Sequence, residues 1–225
     1  MSWILNIETS GKNCSVALAF KGELKALKEL QSEGYVHAEK LHLFIEQAVN
    51  EAGIEMKQLS AIAVSKGPGS YTGLRIGVSA AKGIAFALNI PIVAICSLYS
   101  LAIAAQEKQI KGMLCPMIDA RRMEVYTCLF DENLTVLKEV SAEVVSEEFE
   151  FFTTNETIVY FGDGAQKCQN VLSENFVYLP GIELSAQQMV LISYEKFEQG
   201  KFEDLAYFEP FYLKDFIAGK PKKMF

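Results

Sequence analysis

Few side chains in this sequence could carry chemistry. His37 and His42 are the whole imidazole supply of a 225-residue chain. They stand five apart, a rotation of about 140° on a helix, whereas a zinc-binding helix presents its pair at i and i+4 and needs a third ligand. A serine or cysteine nucleophile would need one of the same two histidines as its base. Metalloprotease and triad hydrolase therefore both fit poorly, and the two histidines read as partly exposed helix residues. The five cysteines, Cys14, Cys96, Cys115, Cys128 and Cys168, lie mostly inside apolar runs without a C-x-x-C. That usage predicts reduced core residues of a cytoplasmic protein. No metal site and no cofactor is expected.

The densest candidate is the stretch Ser65-Lys66-Gly67-Pro68-Gly69-Ser70-Tyr71-Thr72-Gly73-Leu74-Arg75-Ile76-Gly77. It lacks the lysine of a phosphate loop, which would follow the last glycine of G-x-x-x-x-G-K-[ST]. Gly67, Gly69 and Gly73 miss the G-x-G-x-x-G dinucleotide spacing by one residue, with no acidic partner about twenty positions on. Ser70 follows Gly69 directly, so G-x-S-x-G is absent too. Three familiar chemistries fail on spacing alone.

Other polar groups stay open. Glu8, Thr9 and Ser10 end an apolar strand, either as surface groups or as groups facing a nucleotide. Asp119, Arg121 and Arg122 mark a hairpin tip, solvated or holding a partner or ligand. Asp163, between two glycines, shapes a turn or ligates a cation. Lys214, Lys220, Lys222 and Lys223 belong to a basic end that frays or touches phosphates.

The elements that must position these groups are legible from periodicity. Ile4–Glu8, Ser15–Phe20 and Leu24–Leu30 read as strands joined by polar turns. His37–Ala52 is the most periodic segment: Leu41, Phe44, Ile45, Ala48, Val49 and Ala52 share one helix face. Ala61–Val64 is a buried strand feeding the glycine turn, and the following segment to Leu88 is a helix. In it Gly73, Gly77 and Ala81 recur every four residues, beside an apolar strip of Leu74, Val78, Ala85 and Leu88. The small face either packs inside the domain or meets another backbone at an interface. Ile90–Ile95 is a strand, and Ser97 caps a helix to about Gln106. After the polar stretch from Gln106 to Gly112 come strands Met113–Asp119, Glu124–Phe130 and Ile158–Phe161. A short helix ends near Phe149–Phe152, and a helix capped by Ser185 and Gln188 runs to Gly200. No internal repeat is visible.

Half of the residues are hydrophobic and 22% charged, an ordinary globular composition. A net charge of −7 argues against a protein that grips nucleic acid over its whole surface. No signal peptide or membrane span is expected. Alternating strands and helices in two halves predict an α/β fold of two subdomains around a cleft: 1–106 with the candidate helices, 107–218 whose last helix packs back on the first, and a tail at 219–225.

Gly-Pro-Gly-Ser-Tyr-Thr-Gly-Leu-Arg-Ile-Gly with Ala80-Ala81-Lys82-Gly83 resembles the signature of the TsaB (YeaZ-like) family of bacterial tRNA threonylcarbamoyladenosine biosynthesis subunits, relatives once labelled glycoprotease-like. The resemblance implies an ASKHA (actin-like ATPase and sugar kinase) fold and a non-catalytic dimerisation subunit lacking the H-x-x-x-H of its metal-bound catalytic relative. It implies that relative, a TsaD-like threonylcarbamoyltransferase, as partner, with a TsaE-like ATPase joining. It also implies a homodimer when the chain is alone, tRNA met only through the complex, and no membrane. Carried onto this chain, the family's interface helices comprise His37, Leu41, Phe44, Ile45 and Ala48 from one segment, and Tyr71, Gly73, Leu74, Gly77, Val78 and Ala81 from the other. The family pattern has aspartate where Glu8 stands and phenylalanine where Tyr71 stands. The alternative is a small-molecule kinase or ATPase using Glu8, Thr9 and Ser10 in the cleft.

Overall fold

The computed structural model describes residues 2–31, 36–146 and 156–214. Two five-stranded mixed sheets are built in chain order. The first takes β1 (Trp3–Glu8), β2 (Asn13–Phe20), β3 (Glu23–Gln31), β4 (Leu59–Gly67) and β5 (Ile92–Cys96), in the order β3-β2-β1-β4-β5. The second takes β6 (Met113–Asp119), β7 (Glu124–Phe130), β8 (Val136–Val144), β9 (Ile158–Phe161) and β10 (Phe176–Tyr178), in the order β10-β9-β6-β7-β8.

The two sheets repeat one plan. In each, the first strand pairs antiparallel with a hairpin partner on one side and parallel with the fourth strand on the other. The third strand adds antiparallel and the fifth adds parallel at the edges. The backbone plan thus repeats where no internal repeat was expected from the sequence. Packing constrains polarity and pairing far more tightly than residue identity, so one topology can be built from different residues.

Among the described residues four α-helices clothe the sheets. Helices α1 (His37–Glu51) and α2 (Tyr71–Leu88) lie on one face of the first sheet, where Leu41, Ile45, Val49, Val78, Ala81 and Ala85 join Leu5, Ile7, Ile62 and Val64 in one core. The other face is covered by α4 (Met189–Glu198), whose Met189 and Val190 meet Ile4, Ala17, Ala63 and Val93. Burial on both faces explains why β1 and β4 read as nearly continuous apolar runs. Helix α3 (Ser97–Gln106) crosses over instead: Leu98, Leu101 and Ala105 pack with Leu114, Ile118 and Phe161 of the second half. The fold is α/β, two mixed sheets of one topology with helices packed on them.

Several local expectations change. Ser97 is the first helical residue behind Cys96, and its buried hydroxyl has no partner, so it does not cap. Ser185 accepts from the Gln187 amide at 3.2 Å, but heads a 3-10 turn, Ala186–Gln188, from which α4 follows. The Gln188 amide donates to Glu107 rather than closing a capping box. Strands β8 and β10 were not anticipated. The expected helix end at Phe149–Phe152, the tail at 219–225 and the lysines at 220, 222 and 223 lie outside the described residues. Lys214 is paired with Glu124 and is no loose end.

Candidate functional site

The glycine-rich turn closes over the end of β1. The Ser70 amide donates to the Ser10 carbonyl at 2.7 Å, and the Thr9 hydroxyl donates to the Gly73 carbonyl at 2.8 Å. Ser70 caps α2 by accepting from the Gly73 amide at 3.2 Å. Each of three glycines faces an atom where a side chain would stand. A Cβ on Gly69 would lie 2.4 Å from the Ser10 carbonyl oxygen, one on Gly73 2.0 Å from that of Thr9, and one on Gly77 2.2 Å from the Thr9 hydroxyl. Close backbone approach is therefore the reason for glycine inside this helix, and the neighbour is the chain's own first strand.

Glu8, Thr9 and Ser10 are consequently sealed, at no more than 1% exposure. This corrects both expectations for them, since they are neither surface groups nor groups lining a cleft. Glu8 Oε1 accepts from the Ser10 amide and hydroxyl, each at 2.6 Å, while among the described residues Oε2 has no partner. Burial pushes the Glu8 carboxyl above the usual carboxylate range, against the opposing pull of the two hydrogen bonds from Ser10.

A polar cleft of about 200 Å³ does lie between the halves, lined by Lys12, Gln31 and Leu101 and by Asp163, Gln166 and Tyr178 opposite. Asp163 spends one oxygen on its turn, accepting from the Asp119 amide at 3.0 Å. Among the described residues no group of three or more histidine, cysteine, aspartate or glutamate side chains is placed to hold a metal ion.

The α1–α2 surface differs from its expected form in which residues face out. Leu41, Ile45, Ala48, Gly73, Leu74, Gly77, Val78 and Ala81 are all buried within this chain. His37, expected to be partly exposed, is 2% exposed and hydrogen-bonds the Gly11 carbonyl through Nε2 at 3.0 Å. Its burial pushes the imidazole below its ordinary pKa, opposed by that carbonyl. Phe44 and Tyr71 are half-buried. Beyond them the exposed large apolar groups on these helices are Leu43 at 41% and Phe86 at 79% exposure, while Ile76, Ala80 and Ile84 are half-buried. The space beside Gly83 is open. Leu43 and Phe86 were missed because they fall off the inward stripes. An apolar residue out of phase with a well-formed stripe was the available signal.

A strap at 203–212 borders this surface. The Glu203 amide donates to the Ile92 carbonyl at 2.9 Å, the Phe211 amide to that of Lys66 at 2.7 Å, and Lys82 Nζ to the carbonyls of Ala206 and Phe208, each at 3.1 Å. The Tyr71 and Tyr212 rings stand 4.9 Å apart, and the Arg75 guanidinium sits 4.3 Å from the Tyr71 ring centre.

Comparison with known proteins agrees with this architecture. The family model described as TsaD, tRNA N6-adenosine threonylcarbamoyltransferase, matches residues 34–216. The chain is 29% identical to the tRNA threonylcarbamoyladenosine biosynthesis protein TsaB of Escherichia coli (strain K12) over 96% of each sequence. It is 37% identical to the TsaB protein of Bacillus subtilis (strain 168) over 61% of this chain and 58% of the relative. The structure of YeaZ from Pseudomonas aeruginosa superposes with a TM-score of 0.84 at 26% identity, covering 95% of this chain and all of that one. With four-fifths of its length inside the model and TsaB and YeaZ proteins as full-length relatives, the chain belongs to the tRNA N6-adenosine threonylcarbamoyltransferase (TsaD) family, in its TsaB/YeaZ branch.

Proposed function

We propose that the chain is a scaffold subunit in the threonylcarbamoylation of tRNA, acting on the adenosine beside the anticodon in tRNAs that read codons starting with A. Its relatives' shared name, tRNA threonylcarbamoyladenosine biosynthesis protein, supports a role in tRNA modification. The observation that carries the scaffold role is the apolar area that α1 and α2 leave in water, at Leu43 on α1 and at Phe86 on α2, with open space beside Gly83. Such a patch on two adjacent helices suits a helical partner surface. The partner is a metal-bound TsaD-like subunit, a TsaE-like ATPase joins the pair, and the chain self-associates when the partner is missing. The subunit acts in the cytoplasm, without catalysis of its own. The sealed state of Glu8, Thr9 and Ser10 disfavours the kinase or ATPase alternative.

Light scattering behind size exclusion tests this with the chain alone and mixed with its metal-bound homologue. Phe86→Asp and Gly83→Arg alter the open face, whereas Gly77→Arg would strike Thr9 and break the fold. The wild type is expected to form a heterodimer and each variant to weaken it at least tenfold, about 1.4 kcal/mol. A wild type that ignores the homologue defeats the proposal, and ATP turnover abolished by Glu8→Ala would favour the kinase.

A further inference from the structure

The β6–β7 hairpin turns through Ala120-Arg121-Arg122-Met123. Two successive arginines there hold left-handed backbone, with φ of 72° at Arg121 and 51° at Arg122. That region is unfavourable for any residue with a Cβ, and glycine or asparagine ordinarily fills it. The turn is nonetheless well braced. Asp119 Oδ1 accepts from the Arg121 amide at 2.9 Å, and the Asp119 amide donates to Asp163 at 3.0 Å. Gly164 backs the strand so closely that a Cβ would lie 2.8 Å from the Ile118 carbonyl carbon.

Lysines already neutralise the hairpin's carboxylates. Lys167 pairs with Asp119 and donates to the Glu124 carbonyl at 2.7 Å, and Lys214 pairs with Glu124. Both arginines are exposed, and among the described residues neither guanidinium has an ion-pair partner. Arg121, Arg122, Lys167 and Lys214 thus outnumber Asp119, Glu124 and Asp163 at one tip of a chain whose net charge is −7. A merely solvated turn would not require arginine at either left-handed position.

We infer that Arg121 and Arg122 form a contact for backbone phosphates of RNA, made while the chain sits in its complex. The inference rests on the proposed role in tRNA modification. Guanidinium groups suit phosphate oxygens because their donors form a planar fork. Contacts of this kind position the RNA and carry no sequence information. With the rest of the chain acidic, the contact stays small, about one phosphate per arginine.

The test measures binding of unfractionated bacterial tRNA to the assembled complex across a salt series. Replacing both residues (Arg121→Gln with Arg122→Gln) is expected to weaken binding and to reduce the slope of log K against log salt by about 1.5, for two phosphates at roughly 0.7–0.9 each. Replacing both by glycine is expected to weaken binding equally while raising Tm, because glycine relaxes the left-handed backbone. An unchanged slope and affinity in both variants overturns the inference. So does a glutamine variant that no longer joins the complex, which would assign the arginines to a protein contact. If the wild type itself fails to assemble, the scaffold role falls, and the same series on the chain alone at low salt decides the arginine contact, absence of binding overturning it.

Discussion

Thr9 and Gly73, 64 positions apart, are held in contact from both sides: the Thr9 hydroxyl donates to the Gly73 carbonyl at 2.8 Å, while the Thr9 carbonyl stands 2.0 Å from where a Gly73 Cβ would be. Strand β1 and helix α2 meet through backbone, and the glycine-rich motif is the condition for that meeting. Gly73→Ala is therefore expected to cost about 3 kcal/mol, as overpacking against rigid backbone does. Gly83→Ala, on the open side of the same helix, should instead add up to about 1 kcal/mol through helix propensity. Urea unfolding of the two variants checks this, and shifts of the same sign would show that helix propensity and not contact controls the motif.

Glu8 makes stability depend on pH. Its carboxyl is raised in the folded chain by burial, so the folded state holds a proton that the unfolded state has released. The stabilisation is fully present below the unfolded pKa, near 4.5, and is lost as pH rises through the folded value. Glu8→Gln keeps an acceptor for Ser10 and cannot ionise. It is expected to flatten the fall in unfolding free energy above pH 4.5 and to be more stable than the wild type at pH 8. A wild type whose stability rises over that interval in step with the variant would refute the assignment to Glu8.

The strap at 203–212 is anchored by Phe208, which is 7% exposed and packs in the core beneath α1 and α2. Phe208→Ala is expected to cost about 3 kcal/mol. It should also release the strap locally, seen as faster amide exchange at Tyr207 and Phe211 than at β1. Uniform exchange across the chain would mean that the strap does not open separately.

Cysteine reactivity should divide sharply. Burial pushes the Cys14 thiol up to about 11 and Cys115 up to about 12, and raises Cys128 and Cys168 as well. Burial raises the Cys96 thiol too, but Cys96 is the one of the five that is partly exposed. A thiol reagent at pH 8 is expected to label Cys96 first, and all five only after unfolding. Rapid labelling of Cys115 in the native chain would contradict the buried placement of β6.

Much of the framework was legible because it is written in short-range pattern. The periodicity of Leu41, Ile45, Ala48 and Val49 marked α1, and the apolar runs marked β1, β4, β5, β6 and β9. Strand β8 escaped because its residues, VLKEVSAEV, include none that is buried and alternate weakly. The three residues of β10 are too few to show any period. The glycine spacing rightly marked α2 as special, but two packings shared that spacing, one inside the chain and one at an interface.

The sequence by itself determined most of the element types, the shortage of histidine and the family signature, since each depends on residues close together in the chain or on simple counts. Only the tertiary structure decided that Glu8, Thr9 and Ser10 are sealed, that Gly73 and Gly77 face Thr9, and that Phe86 and Leu43 face water. It alone revealed that the two sheets share one topology. The physical reason is that exposure and close contact belong to pairs of residues brought together across long separations. A helical period specifies which residues share a face, but the element packed against that face is chosen elsewhere in the chain.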